Sequence, residues 1–191
     1  MIHQLRILAP AALLLVAACD RGAEGTNQDD ANVAVDGSEN AAAVNSSAVS
    51  ADTQSFVENA AASDMYEIEA GKLGSEKASN ADVKAFAAML VTDHTKSSTE
   101  MKAAASQASP ELTPPATLPA DRQAKIDALK AASGEEFDTL FVTQQVEAHT
   151  AALQLLEGYA SGGDAQPLKD FAAKTAPVVK THLEKAKSLQ K

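Results

Sequence analysis

Three histidines, His94, His149 and His182, are the residues of this chain best suited to chemistry. Each lies near the middle of a different predicted helix, on the apolar side of that helix. The three predicted helices cover residues 80–107, 134–160 and 165–189. Because the histidines lie at similar depths in these helices, their rings meet at one level if the helices pack into one bundle. Neutral imidazole is a good ligand for zinc, copper or iron.

Two carboxylates, Glu67 and Asp93, complete the candidate metal site. Glu67 lies at a similar depth in the first predicted helix, on the flank of its apolar stripe. Asp93 adjoins His94 and points about 100° away from it around the helix axis. Three imidazoles and a carboxylate are a workable ligand set for one transition-metal ion, which is the one cofactor that the sequence indicates. Two other interpretations stay open: neutral histidines buried for packing, and a cluster that senses pH.

The motifs of common enzymes are absent, and no catalytic residue is predicted. The sequence has no glycine-rich phosphate loop, no nucleophile elbow and no HExxH motif. Its net charge of −10 argues against a nucleic-acid partner, which needs a basic face. We therefore expect a protein that is not an enzyme and does not bind nucleic acid.

The N-terminus is typical of a bacterial export signal. Residues 1–18 join a positively charged start to an apolar run that is too short to span a membrane. Val16-Ala17-Ala18 precede Cys19, the single cysteine of the chain, and together they resemble a lipobox. The resemblance implies that Cys19 is acylated and anchors the mature protein to a membrane of the cell envelope, facing the periplasm. Inner and outer membrane both stay open, and an ordinary signal peptide is the alternative.

The remaining chain divides into a linker and a helical domain. Residues 19–54 are acidic and almost without large apolar side chains, which predicts a disordered linker. Residues 55–191 carry four long amphipathic helices and no strand pattern. Prolines interrupt the helical pattern after Ser109, and a short helix follows at about residues 120–131. We predict an all-α fold, an antiparallel four-helix bundle with a short extra helix between the second and third long helices.

Apolar spacing also predicts which faces of the helices are buried. The expected face of the first helix includes Met65, Ile68 and Leu73, and that of the last helix includes Val178. Asn80 is expected to cap the second long helix at its N-terminus.

Several segments together resemble a known bacterial family. They are residues 64–73, 83–87, 93–95, 137–138, 144–149, 174–177 and 182–183. The family is domain of unknown function 4142, whose members are often labelled as predicted outer membrane proteins and regarded as ferritin-like helical bundles. The resemblance implies an exported ferritin-like bundle in which Glu67, Asp93 and the three histidines occupy motif positions. It supplies no established activity.

Iron chemistry does not follow from the ferritin-like fold. Ferritin-like di-iron proteins carry a Glu-x-x-His pair on each of two helices. Here the residues three positions before the histidines are Val91, Val146 and Val179. We therefore expect a lipid-anchored envelope protein of unknown molecular role, with a stress-related binding or accessory role by family analogy. The alternative is a periplasmic metal-binding protein that uses the histidine cluster. Protein partners and oligomeric state stay open.

Overall fold

The computed structural model describes residues 51–190, which form five α-helices. They are α1 (Ala51–Lys77), α2 (Ala81–Ser106), α3 (Ala120–Ala131), α4 (Gly134–Gly162) and α5 (Gln166–Leu189). No strand occurs within residues 51–190, so the predicted all-α class is confirmed. The predicted signal peptide at 1–18, the predicted acylation site at Cys19 and the linker up to residue 50 lie outside the described residues.

The four long helices pack in two pairs. The most extensive contacts join α1 to α2 and α4 to α5, and we call these pairs the two hairpins. The turns within the hairpins are residues 78–80 and 163–165, which are too short to return the chain along a helix. The helices of each hairpin therefore run in opposite directions. Contacts of α2 with α5 and of α1 with α4 join the hairpins, and α3 lies against α1 and α4.

The start of α2 is fixed by its cap and by α4. The side-chain oxygen of Asn80 accepts hydrogen bonds from the backbone amides of Asp82 and Val83, so the predicted cap is confirmed. The Asp138 carboxylate of α4 accepts hydrogen bonds from the backbone amides of Ser79 and Asn80. These bonds tie the α1–α2 turn to the other hairpin.

Helix α1 begins at Ala51, before the predicted start of the folded domain at residue 55. Thr53 is fully buried, and its hydroxyl is hydrogen-bonded to the Tyr159 hydroxyl at 2.8 Å and to Asp164. Composition alone assigns residues 51–54 to the linker. They belong to the helix because partners that are distant in sequence hold them in place.

Glycines let α1 and α2 approach each other closely. A Cβ atom on Gly74 would lie 2.6 Å from the Ala87 Cβ, and one on Gly71 would lie 2.8 Å from the Val91 Cγ2. Any side chain at these two positions would push the helices apart. Glycine is therefore needed here for space, and it keeps the inner faces of α1 and α2 in contact.

The apolar interior consists of two clusters with a polar layer between them. One cluster joins the start of α1 and α5 to the end of α2 and α4, and its large members include Phe56, Met101, Leu156, Tyr159 and Phe171. The other joins the opposite ends of the same helices and includes Tyr66, Phe86, Ile126, Phe137 and Phe141. The residues between them define what we call the polar layer: Asp64, Glu67, His94, Gln145, His149 and His182.

Two predicted core faces are confirmed in part and wrong elsewhere by about one residue. The residues predicted to be buried and found buried are Phe56, Val57, Ala60 and Ala61 of α1, and Leu168, Phe171, His182 and Ala186 of α5. Met65, Ile68 and Leu73 are only half-buried. Past Ala61, the buried face of α1 instead includes Asp64, Glu67, Gly71 and Gly74. Val178 is 43% exposed, whereas Val179 is buried. One residue turns a helix by about 100°, so a face chosen from apolar side chains alone is misplaced where polar residues occupy its centre.

Candidate metal centre

Three imidazoles meet in the polar layer. The ring centroids of His94, His149 and His182, which we call the histidine triad, lie 5.3 to 5.6 Å apart. One ring nitrogen of each histidine lies within 4.8 Å of a ring nitrogen of each of the others. No triad residue is more than 5% exposed. The structure thus brings together the three histidines that the sequence places at one level.

Two histidines of the triad bind carboxylates with their outer nitrogens. The Nδ1 of His94 lies 2.8 Å from Asp64 Oδ1, and the Nε2 of His182 lies 2.9 Å from Asp93 Oδ2. Ionised carboxylates only accept hydrogen bonds, so these two ring nitrogens carry the hydrogen and donate it. Each neutral ring then has its lone pair on the other nitrogen.

The third histidine binds its own helix. The Nδ1 of His149 donates to the backbone carbonyl of Gln145, four residues earlier on α4, at 2.9 Å. The lone pair of a neutral His149 is therefore on Nε2. All three rings are oriented by an oxygen acceptor, an arrangement that metal-binding histidines in proteins almost always show.

The second ring nitrogen of each histidine, which we call the inner nitrogen, has no hydrogen-bond partner among the described residues. The Nε2 of His94, the Nε2 of His149 and the Nδ1 of His182 are buried and make no hydrogen bond to any described residue. These are the nitrogens that hold the lone pairs in the neutral rings. Three buried acceptors without a donor lower the stability of the fold, because each loses its hydrogen bonds to water and gains none in the protein.

Glu67 and Gln145 extend this unpartnered set. Glu67 is 1% exposed, its Oε1 lies 3.8 Å from the Nδ1 of His149, and neither carboxylate oxygen has a hydrogen bond. The Gln145 carboxamide is fully buried, and apart from its effect on the Glu67 carboxylate, its oxygen and nitrogen lack a hydrogen-bond partner among the described residues. Within residues 51–190, eight buried side-chain atoms are unpartnered in this way, and all eight belong to the polar layer.

Burial and mutual repulsion keep most of the triad neutral. Burial, together with smaller effects of the nearby His94 and His182, lowers the pKa of His149 to about 3. The hydrogen bond to the Gln145 carbonyl acts in the opposite direction and is outweighed. Burial also lowers the pKa of His182 below its ordinary value, against the opposing effect of Asp93. Neutral imidazole is the form that binds metal.

His94 and Glu67 behave differently. Burial works to lower the pKa of His94, but the hydrogen bond to Asp64 and the charges of Glu67, Asp64 and Asp93 outweigh it, so the pKa is raised. Burial raises the pKa of Glu67 to about 7, although His94 and Gln145 act in the opposite direction. The centre therefore holds exchangeable protons at neutral pH.

The two carboxylates predicted as metal ligands, Glu67 and Asp93, lie outside the group of ligand atoms that the three histidines form. The group of ligand atoms within mutual reach contains only the triad. Asp93 contacts His182 on the nitrogen that points away from the other rings, and its side chain is 37% exposed. Glu67 lies beside His149 and is buried at the centre of the α1 face, so its predicted position on the flank of the stripe is wrong.

Asp64 and Gln145, which bind His94 and His149, are not among the site residues predicted from the sequence. Both stand at helical spacing from a residue that was singled out: Asp64 lies three residues before Glu67, and Gln145 lies four residues before His149. Those spacings place each pair on one helix face. A search for polar residues at helical spacing from the histidines and Glu67 would have found them.

A small cavity borders the centre. It has a volume of about 20 Å³ and is lined by Asp64 and His94 together with Ser63, Ser97 and Thr175. This is space for a single water-sized molecule. A larger groove of about 260 Å³, with Asp138 and Leu189 in its wall, contains no residue of the triad.

Comparison with protein families gives one match. The family model described as Domain of unknown function (DUF4142) matches residues 38–189. No curated protein and no solved structure matches the chain. Within the described residues, none of the helices combines the length and the apolar character that crossing a membrane requires.

Proposed function

The chain belongs to the DUF4142 family, whose description states no activity, and we propose from the geometry of its interior that it is a metal-binding protein. One first-row transition-metal ion binds to the inner nitrogens of the histidine triad. The observation that carries this proposal is that all eight unpartnered buried atoms lie in one layer. Buried polar atoms in folded proteins are normally paired, and an ion gives the three lone pairs the partner that they lack.

Packing alone is a weaker account of the triad. Histidines that serve only to fill the interior place three unpartnered acceptors where apolar side chains of similar size would cost less. The outer hydrogen bonds to Asp64, Asp93 and the Gln145 carbonyl also serve packing poorly. They fix which nitrogen of each ring faces inward, and a metal site requires that orientation.

The donor atoms define the class of ion. Three imidazole nitrogens suit zinc, copper, iron, cobalt or nickel, whereas calcium and magnesium prefer oxygen ligands. The carboxylates of Asp64 and Asp93 bring negative charge next to the ligating rings, which favours a dication. The valines three residues before each histidine leave no Glu-x-x-His pair, so we propose one ion rather than a di-iron pair.

The cellular setting is part of the same proposal. The lipobox-like residues before Cys19 support a lipid anchor in the cell envelope, with the domain facing the periplasm. The pairing of α1 with α2 and of α4 with α5, together with the family membership, supports a ferritin-like antiparallel four-helix bundle. Metal binding or sequestration would then be the molecular role of an envelope protein, and no catalytic activity is proposed.

Metal analysis of protein purified without a histidine tag tests the proposal. After treatment with a chelator and dialysis against Zn²⁺, Cu²⁺ or Co²⁺, we expect one tightly held ion per chain and a rise in the melting temperature. His149→Ala should abolish both. Leu156→Ala is the matched control, because it shortens a buried side chain of the same helix outside the polar layer. It should lower stability but retain the ion. An equal loss of stability for His149→Ala with and without metal would instead favour packing.

A further inference from the structure

We propose that the metal centre keeps one open coordination position, filled by water and exchangeable for a small anion, in the polar layer that also holds Glu67 and Gln145. The inference rests on the proposed function, since it concerns the same ion. It goes further by naming a second ligand of the centre, a small oxygen or nitrogen donor from solution.

The number of protein ligands is the first argument. Within the described residues, the ligand atoms in mutual reach come from the histidine triad alone. Structural zinc sites are closed by four protein ligands, whereas sites with three protein ligands take water or a substrate at the fourth position. A triad of imidazoles with no fourth protein ligand in reach is an open site.

The buried polar side chains of Glu67 and Gln145 could bind a metal-bound water. Both side chains are buried in the polar layer. Apart from the effect of the Gln145 side chain on the Glu67 carboxylate, none of their four polar atoms has a hydrogen-bond partner among the described residues. The neighbouring Gln144 is also buried, but its carboxamide oxygen accepts a hydrogen bond from the Tyr66 hydroxyl at 2.8 Å. Unpartnered polar atoms next to the triad are what a metal-bound water needs, since water both donates and accepts hydrogen bonds.

Burial of the site limits the size of the exchangeable ligand. The triad, Glu67 and Gln145 are all buried, so little room is left around the inner nitrogens. Only a molecule on the scale of water fits without movement of the helices. Hydroxide is of this size, and azide, a linear ion of three atoms that binds through one end, is a small probe for such a position, whereas a metabolite with a carbon skeleton is too large.

Cobalt substitution with azide as the probe tests the proposal. The visible absorption of Co²⁺ reports its ligands, so the full-length protein loaded with Co²⁺ at pH 8 should show a saturable spectral change when azide is added. Glu67→Gln keeps the shape of the side chain and removes its negative charge. It should hold Co²⁺ within about tenfold of the wild-type affinity, as expected for a residue outside the ligand set. It should also bind azide severalfold more tightly, because an adjacent negative charge is lost.

Glu69→Gln is the matched control, because it makes the same charge change at an exposed position of the same helix. It should leave the azide affinity unchanged. A wild-type protein that binds no Co²⁺ overturns the proposed function and this inference with it. If Co²⁺ binds and azide leaves its spectrum unchanged, the site is closed, and only the inference is lost. A loss of Co²⁺ affinity beyond about a hundredfold in Glu67→Gln would make Glu67 a ligand and also overturn the open position.

Discussion

The Nδ1 of His94 lies 2.8 Å from the Oδ1 of Asp64, which joins α1 to α2 inside the first hairpin. The bond orients the ring so that its Nε2 is left without a partner within the described residues. The second oxygen of Asp64 is also unpartnered, so the carboxylate is held by the histidine alone among the described residues. Asp64 therefore acts on a bound ion through the orientation and basicity of His94.

Asp64→Asn is expected to weaken metal binding without abolishing it. The amide is nearly the same size but lacks the charge that supports His94 as a ligand, so the dissociation constant should rise about 10- to 100-fold. Competition with a chelator of known affinity measures this change. Glu69→Gln serves as a charge control on the exposed face of α1. Unchanged affinity in Asp64→Asn would show that the outer hydrogen bond has no influence on the ion.

The metal-free protein should lose the contribution of His149 to its stability in acid. The pKa of His149 is lowered to about 3 by burial and by His94, with a smaller effect from His182. The unfolded chain therefore binds this proton first, and the contribution is present above about pH 6.5 and is lost as the pH falls toward 3. At pH 4.5 the loss should be roughly 2–3 kcal/mol.

Comparison with His149→Phe isolates this contribution, because phenylalanine fills a similar space and does not titrate. Urea unfolding in the presence of a chelator should show that the wild type loses stability relative to the variant between pH 7.5 and pH 4.5. A constant difference between the two proteins across that range would contradict the lowered pKa. The titration of Glu67 and His94 affects both proteins, so the difference reports mainly on His149.

Glu67 should produce the opposite pH dependence. Its pKa is raised to about 7, mainly by burial, so the folded protein holds this proton more tightly than the unfolded chain. The resulting stability is fully present below about pH 4.5 and is lost as the pH rises through 7. Glu67→Gln does not titrate, so the metal-free variant should gain stability relative to the wild type on going from pH 4.5 to pH 8. The gain should be on the order of 3 kcal/mol, measured by urea unfolding. A relative loss over the same range would show that the folded state favours the ionised carboxylate.

The adjacent glutamines of α4 should respond differently to the same substitution. Gln144→Leu leaves the buried Tyr66 hydroxyl without its acceptor, which should cost about 1–3 kcal/mol in unfolding free energy. Gln145 stabilises the ionised form of Glu67, which is mostly protonated at pH 5, and its side-chain atoms make no other hydrogen bond within the described residues. Gln145→Leu in the metal-free protein at pH 5 should therefore keep the stability or gain some. Chemical denaturation of both variants measures the difference. Equal losses would show that the Gln145 carboxamide makes a hydrogen bond of its own in solution.

The proposed anchor depends on Cys19. Cys19→Ser cannot be acylated, so the exported protein should move from the membrane fraction to the soluble fraction on cell fractionation. Membrane association retained by Cys19→Ser, or a soluble wild-type protein after export, would contradict lipid anchoring. The folded domain should show the same melting temperature in both forms, because residue 19 precedes the helices by a long segment.

The sequence was sufficient to place the histidine triad. The helical pattern puts each histidine at mid-helix on an inner face, and a bundle then brings them to one level. The outer partners could not be read in the same way. Whether a ring bonds to Asp93 or to its own backbone depends on rotamers and on the rotation of neighbouring helices, which the pattern of one helix does not determine.

The buried face of α1 near residue 65 could not be predicted from apolar spacing. A search for apolar spacing favours Met65 and Ile68, but the interior at that level is polar, so the face that is buried carries Asp64 and Glu67 instead. Local preference is overridden there by what the other three helices present. The start of α1 is close to the prediction: helical spacing predicts a first helix from about residue 53, and α1 begins at Ala51, with Thr53 hydrogen-bonded to the distant Tyr159.

The histidine triad takes one ring from the first hairpin and two from the second. An ion held by all three is therefore a cross-link between two halves that otherwise meet through the contacts of α2 with α5 and of α1 with α4. Separation of the hairpins has to break at least one metal–nitrogen bond before the interior can open. Metal loading should then slow the rate of unfolding, so that the loaded domain outlasts the empty one under proteolysis or heat.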